Sequence, residues 1–132
     1  MNKKTMAALV VSLGILCVAP FVAAQPVANN FNFCTKLSGS IAPGTVGPRE
    51  QRVIHGPYTV KCGTTSHHFS VRGASGQVPV ILQQFRGGNW SAVTGKTYDP
   101  SGSFGAGTFR LVIDNLQGQA SVSYTGSYVV PM

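Results

Sequence analysis

The chain has 132 residues, 43% of them hydrophobic and only 10% charged. Ten Lys or Arg stand against three Asp or Glu, for a formal net charge of +7. That length buries one core and no more, and three carboxylates leave little material for the paired acid/base chemistry of hydrolases.

The first segment is punctuated for export. Met1-Asn2-Lys3-Lys4 is a short positive start, Met6 to Ala19 is an apolar run, and Val22-Ala23-Ala24 supplies the small residues that signal peptidase reads. The apolar run is shorter than the roughly 20 residues a spanning helix needs. Residues 1–24 are therefore expected to be a signal peptide cleaved before Gln25, with 25–132 as a single domain in the periplasm or secreted. No stable membrane span is expected after cleavage. Cys17 leaves with the leader. Cys34 and Cys62 remain as an even pair in an oxidising compartment, at a spacing unlike a redox Cys-x-x-Cys, and are expected to form a disulfide.

Down the chain the pattern is strand after strand. Gln25 to Asn30 reads as a flexible start, and Phe31-Asn32-Phe33-Cys34 alternates as a first strand would. Ser38 to Glu50 is rich in Gly and Pro and reads as the longest loop. Gln51 to His55 ends at Gly56-Pro57. Tyr58, Val60 and Cys62 share a face, as do His67, Phe69 and Val71. Val78 to Phe85 is apolar on both faces early on, as in a central strand, with Pro79 marking an edge or bulge at its start. Gly87-Gly88 turns the chain into Asn89 to Val93. Phe109, Leu111 and Ile113 alternate with Arg110, Val112 and Asp114. Ala120, Val122, Tyr124 and Tyr128 alternate with Ser121, Ser123, Thr125 and Ser127. No window after residue 24 has a helical period. The expected fold is all-β, a small antiparallel β-sandwich of jelly-roll type with one disulfide.

The polar residues offer little catalytic chemistry. Glu50 lies in a loop beside Arg49 and Arg52, while Asp99 and Asp114 stand at turn positions. His67 and His68 point to opposite faces of a strand. His55 and one of them could meet across a sheet to hold a transition metal, but surface imidazoles are the expectation. Ser101 to Gly107 is glycine-rich but precedes a strand, so it lacks the helix N-terminus a phosphate cradle needs. It reads as an inter-strand loop. No cofactor and no metal are expected, and no enzymatic activity. The basic residues are scattered singly. A basic exported chain could be drawn to anionic lipid headgroups, acidic glycans or an acidic protein, but this scatter reads as ordinary solvated faces, and export makes nucleic acid a poor partner.

Trp90, Tyr98 and Phe104 fall in or beside the loops between residues 86 and 107, with Arg86 at their start. Exposed aromatics on a sandwich rim stack on sugars or anchor protein partners. These four are the candidate ligand contacts.

Residues 66–130 resemble bacterial pre-peptidase C-terminal domains, small β-sandwiches appended to secreted proteases and other exports. The resemblance is carried by His68-Phe69-Ser70-Val71, Val80-Ile81-Leu82-Gln83-Gln84-Phe85, Gly107 to Asn115, and Ser123-Tyr124-Thr125-Gly126-Ser127-Tyr128. It implies binding or targeting rather than catalysis. The central strand lacks the aspartates that family carries there, so calcium is not expected. The expected function is a non-enzymatic binding module for an envelope glycan or a protein. The alternative is a periplasmic inhibitor or immunity protein that blocks a lytic enzyme through a protruding loop at 38–50 or 99–107.

Overall fold

The computed structural model describes residues 34–132. The expected signal peptide, the expected flexible start at 25–30 and the alternation at Phe31 to Phe33 lie outside the described residues. Nine strands follow in order: β1 (Lys36–Val46), β2 (Gln51–Val60), β3 (Thr65–Gly73), β4 (Gly76–Gln77), β5 (Val80–Arg86), β6 (Asn89–Ala92), β7 (Gly102–Phe104), β8 (Gly107–Asp114) and β9 (Val122–Pro131). They form two sheets. One runs β1-β9-β3-β4 with β7 also paired to β3, and the other runs β2-β8-β5-β6. Every pairing is antiparallel.

The pairing is nested. β1 pairs β9, β2 pairs β8, β3 pairs β7, and β5 closes on β6. Setting aside the short β4, the chain is one long antiparallel ribbon rolled into two facing sheets, the jelly-roll arrangement. The core between the sheets follows the period-2 pattern. Ile41, Val60, Phe69, Val71, Leu82, Phe109, Leu111 and Ile113 are buried, each contributing roughly 1.5–3 kcal/mol of apolar burial.

Two local departures shape the sheets. Residues 38–46, expected as loop, are an edge strand. The glycines belong there because tyrosine rings need their space: a Cβ on Gly39 would collide with the Tyr128 phenol, and one on Gly44 with the Tyr124 phenol. Pro43 sits where the β1–β9 register shifts between Ile41 and Gly44, a bulge on an edge strand, where proline is tolerated. In the same way, Gly102 to Phe104, expected as loop, form the short β7.

The second departure is in β2, whose pairing with β8 shifts between Val53 and His55 and again between His55 and Tyr58. In a regular strand His55 and Tyr58 would face opposite ways. Here both turn inward, their rings 5.4 Å apart. Gly56 makes the turn at φ +99°, and a Cβ there would lie 2.8 Å from the Phe109 carbonyl oxygen. We expect Gly56→Ala to cost about 2 kcal/mol, read as a fall in Tm of roughly 10 °C for a domain of this size. An unchanged Tm would show that the backbone does not hold this conformation.

Candidate functional site

The β5–β6 hairpin gathers most of the exposed chemistry. Gly87 and Gly88 take φ +56° and +84°, the paired positive values that a two-residue hairpin turn requires. Along β5, Val80, Leu82 and Gln84 point into the core, so Ile81, Gln83 and Phe85 point out. Phe85 stands opposite Trp90 of β6 in register. Their rings lie 5.2 Å apart at 57°, and Phe85 is 45% exposed. Arg110 of β8 reaches across the same outer face, with its guanidinium carbon 4.2 Å from the Trp90 ring centre, a cation–π contact.

Two adjacent glutamines hold two arginines. On the outer face Arg110 Nε donates to Gln83 Oε1 at 2.7 Å. On the inner side Arg86 Nε donates to Gln84 Oε1, also at 2.7 Å. Gln84 is buried and fixed in turn, since its Nε2 donates to the Ala106 carbonyl at 3.2 Å. Both guanidiniums are oriented through Nε by a neutral amide, which leaves their charge unneutralised. Among the described residues the one ion pair is Arg52 with Glu50, at 2.9 Å. A guanidinium held this way presents its remaining N–H groups as a fork for a carboxylate or another oxyanion. Arg86 lines an open groove of about 500 Å³ with Gln84, Ser103, Phe104 and the Gly105-Ala106 turn.

The four residues singled out from the sequence do not form one patch. Arg86 and Trp90 share the hairpin. Phe104 lines the Arg86 groove but leans on the core, 6.2 Å from Phe109 and edge-on to His67 at 5.1 Å. Tyr98 lies apart, against the outer face of the β1-β9-β3-β4 sheet beside His68, Arg72 and Asp99. Phe85, Arg110, Gln83 and Gln84 were not singled out. The signal for Phe85 was its phase, out of step with Val80 and Leu82.

His55 and His67 correct the surface expectation, while His68 is exposed. His67 is fully buried and His55 half-buried. His55 stacks on Tyr128 at 3.7 Å between ring centres. His67 Nδ1 shares a 2.7 Å hydrogen bond with the Tyr58 hydroxyl, and the Nε2 of each imidazole has no partner among the described residues. Burial, foremost, pushes the His67 imidazole down to about 4, aided by the nearby Lys36 and His68 charges. Burial also lowers His55 and raises the Tyr58 hydroxyl. Among the described residues no three His, Cys, Asp or Glu come together as a metal site.

Each carboxylate serves a turn. Glu50 accepts from the Gly47 amide at 2.7 Å and pairs Arg52. Asp99 accepts from the Ser101 amide at 3.0 Å, and Asp114 from the Leu116 amide at 2.9 Å. The Gly47 and Ser101 amides, foremost in the first case and after the Ser101 hydroxyl in the second, hold Glu50 and Asp99 below the usual carboxylate range.

Searches with protein-family models and among curated proteins find no match for this chain, so its function is read from these side chains.

Proposed function

We propose that this chain is an exported, non-enzymatic binding module of the cell envelope or extracellular space, and that its partner is an acidic protein surface seated on the β5–β6 hairpin. One observation carries the reading: the hairpin presents the Phe85–Trp90 pair with Arg110 over it on the outer face and Arg86 on its inner side, each arginine held by a neutral glutamine. Trp and Arg are the side chains that most often dominate protein–protein binding energy. Oriented but unneutralised guanidiniums select acidic partners and speed their approach. A glycan suits this hairpin less well. Sugar stacking needs an open ring face, but a guanidinium lies over Trp90 and Phe85 is tilted against it. The inhibitor reading needs a protruding loop. Residues 38–46 are bound into the sheet by β9, and 102–104 by β3.

The test is a pull-down from envelope extract of the source cells with purified mature protein, at low and moderate salt. A single acidic protein should be retained stoichiometrically, less so as salt rises. Trp90→Ala, and separately Arg86→Ala with Arg110→Ala, should each weaken it by about 2 kcal/mol, roughly thirty-fold in Kd. Retention on the polysaccharide fraction that Trp90→Ala abolishes, or protein binding indifferent to all three substitutions, sinks the proposal.

A further inference from the structure

We propose that the outer face of the β1-β9-β3-β4 sheet carries a second, separate site, a groove that takes one ring of a neutral saccharide. Residues 97–101 cross from one sheet to the other. Thr97 exchanges backbone hydrogen bonds of 2.8 and 3.0 Å with Val80 at the start of β5. Four residues on, Ser101 Oγ accepts from the Phe69 amide at 3.1 Å and lies 3.4 Å from the Phe69 carbonyl. A serine side chain thus fills the β3 edge between the stretches paired to β7 and β4. The crossing is built rather than loose. The Asp99 amide donates to Thr97 Oγ1 at 3.2 Å, Asp99 Oδ1 accepts from the Ser101 amide, and Pro100 is buried.

This crossing sets Tyr98 and Asp99 along the β3 edge. The floor beside them is the outward phase of β3 and β9: His68, Ser70 and Arg72, with Ser127 directly opposite Ser70. Gln77 of β4 adds an amide. The groove holds about 320 Å³, within the range of small-ligand sites. Tyr98 is 57% exposed, an aromatic ring with no place in the core.

The mixture of groups decides the ligand class. A simple anion would meet Asp99 as well as Arg72, and a simple cation the reverse. A neutral polyol uses both, because each hydroxyl donates and accepts. Arg72 offers only donors and Asp99 only acceptors, while Gln77, His68 and the two serines offer both. A sugar ring also has an apolar C–H face, which an exposed tyrosine ring matches. The two proposals are independent. Trp90 belongs to the other sheet, and failure of either site leaves the other untouched.

The experiment is an amide ¹H–¹⁵N titration of the mature protein with cellotriose, maltotriose and tri-N-acetylchitotriose in turn, and with alanine as a zwitterion. At least one trisaccharide should give saturable shifts at Ser70, Arg72, Tyr98 and Ser127, in the millimolar range. Tyr98→Ala and Arg72→Ala should each raise that Kd about tenfold, a loss of ~1.4 kcal/mol, while Trp90→Ala leaves it unchanged. Both residues are exposed, so the variants should keep the wild-type spectrum elsewhere. The proposal is overturned if no trisaccharide saturates even at tens of millimolar. It is equally overturned if the shifts gather on the β5–β6 hairpin, or if alanine saturates the same resonances.

Discussion

Acidifying the protein from pH 7 toward pH 4 should strip stability from it steadily, and His67 should account for most of the loss. Its imidazole sits wholly inside the sandwich, bonded through Nδ1 to Tyr58 and ringed by Phe104 and Phe109. Lys36 and His68 add positive charge nearby. The folded-state pKa is near 4, against about 6.5 for an exposed imidazole. Between those values the unfolded chain binds the proton and the native one does not. Stability is therefore complete above about pH 6.5 and falls as pH drops, by up to about 1.4 kcal/mol per unit for one such group. His55, also lowered by burial, acts in the same direction. Urea midpoints at pH 7.5, 6, 5 and 4 read the slope. Replacing both partners by apolar rings, Tyr58→Phe with His67→Phe, removes the titrating pair without orphaning either side. That variant should flatten most of the dependence. An equally steep fall in the double variant would place its origin elsewhere.

The second large effect is that of the disulfide. Cys34 and Cys62 are 28 residues apart in sequence and joined, their Cα atoms 5.7 Å apart. One precedes β1 and the other follows β2, the edge strands of opposite sheets. No ladder of hydrogen bonds joins these two strands. Closing such a loop in the unfolded chain is worth roughly 3–4 kcal/mol, a large share of the 5–15 kcal/mol typical of a domain. Reductant, or Cys34→Ala with Cys62→Ala, should lower the urea midpoint accordingly. The m-value should hold or rise as the unfolded chain expands. A reduced protein as stable as the oxidised one would mean that the sandwich alone positions β1.

Much of the fold was legible because both sheets bury one face. In β3 and β8 the inward residues Phe69, Val71, Phe109, Leu111 and Ile113 follow strict alternation. The same rule already placed His67 with Phe69, so its burial was written in its phase, and only the habit of putting imidazoles outside concealed it. What could not be read was set by distant neighbours. Gly39 and Gly44 look like loop residues until Tyr128 and Tyr124 lie across them. His55 and Tyr58 cannot be put on one face without knowing that β2 bulges between them. Of the site, Arg86 and Trp90 were visible as surface residues near a turn. Their relation to Gln84, Phe85 and Arg110 depends on which strand lies beside β5.

The nested pairing also fixes where an attachment can go. Lys36 at the start of β1 lies opposite Pro131 at the end of β9, and the Met132 amide donates to the Thr35 carbonyl at 2.8 Å. The register of each ladder then carries Val60, Thr65, Phe104, Gly107 and the Gly87-Gly88 turn to this same pole. Chain enters and leaves the sandwich at the same pole as the groove that Arg86 lines, whereas the turns at 47–50, 74–75 and 115–121 occupy the far pole. A bulky fusion or a surface tether at either terminus would therefore crowd the hairpin. Immobilisation through the far turns would leave it facing the solution.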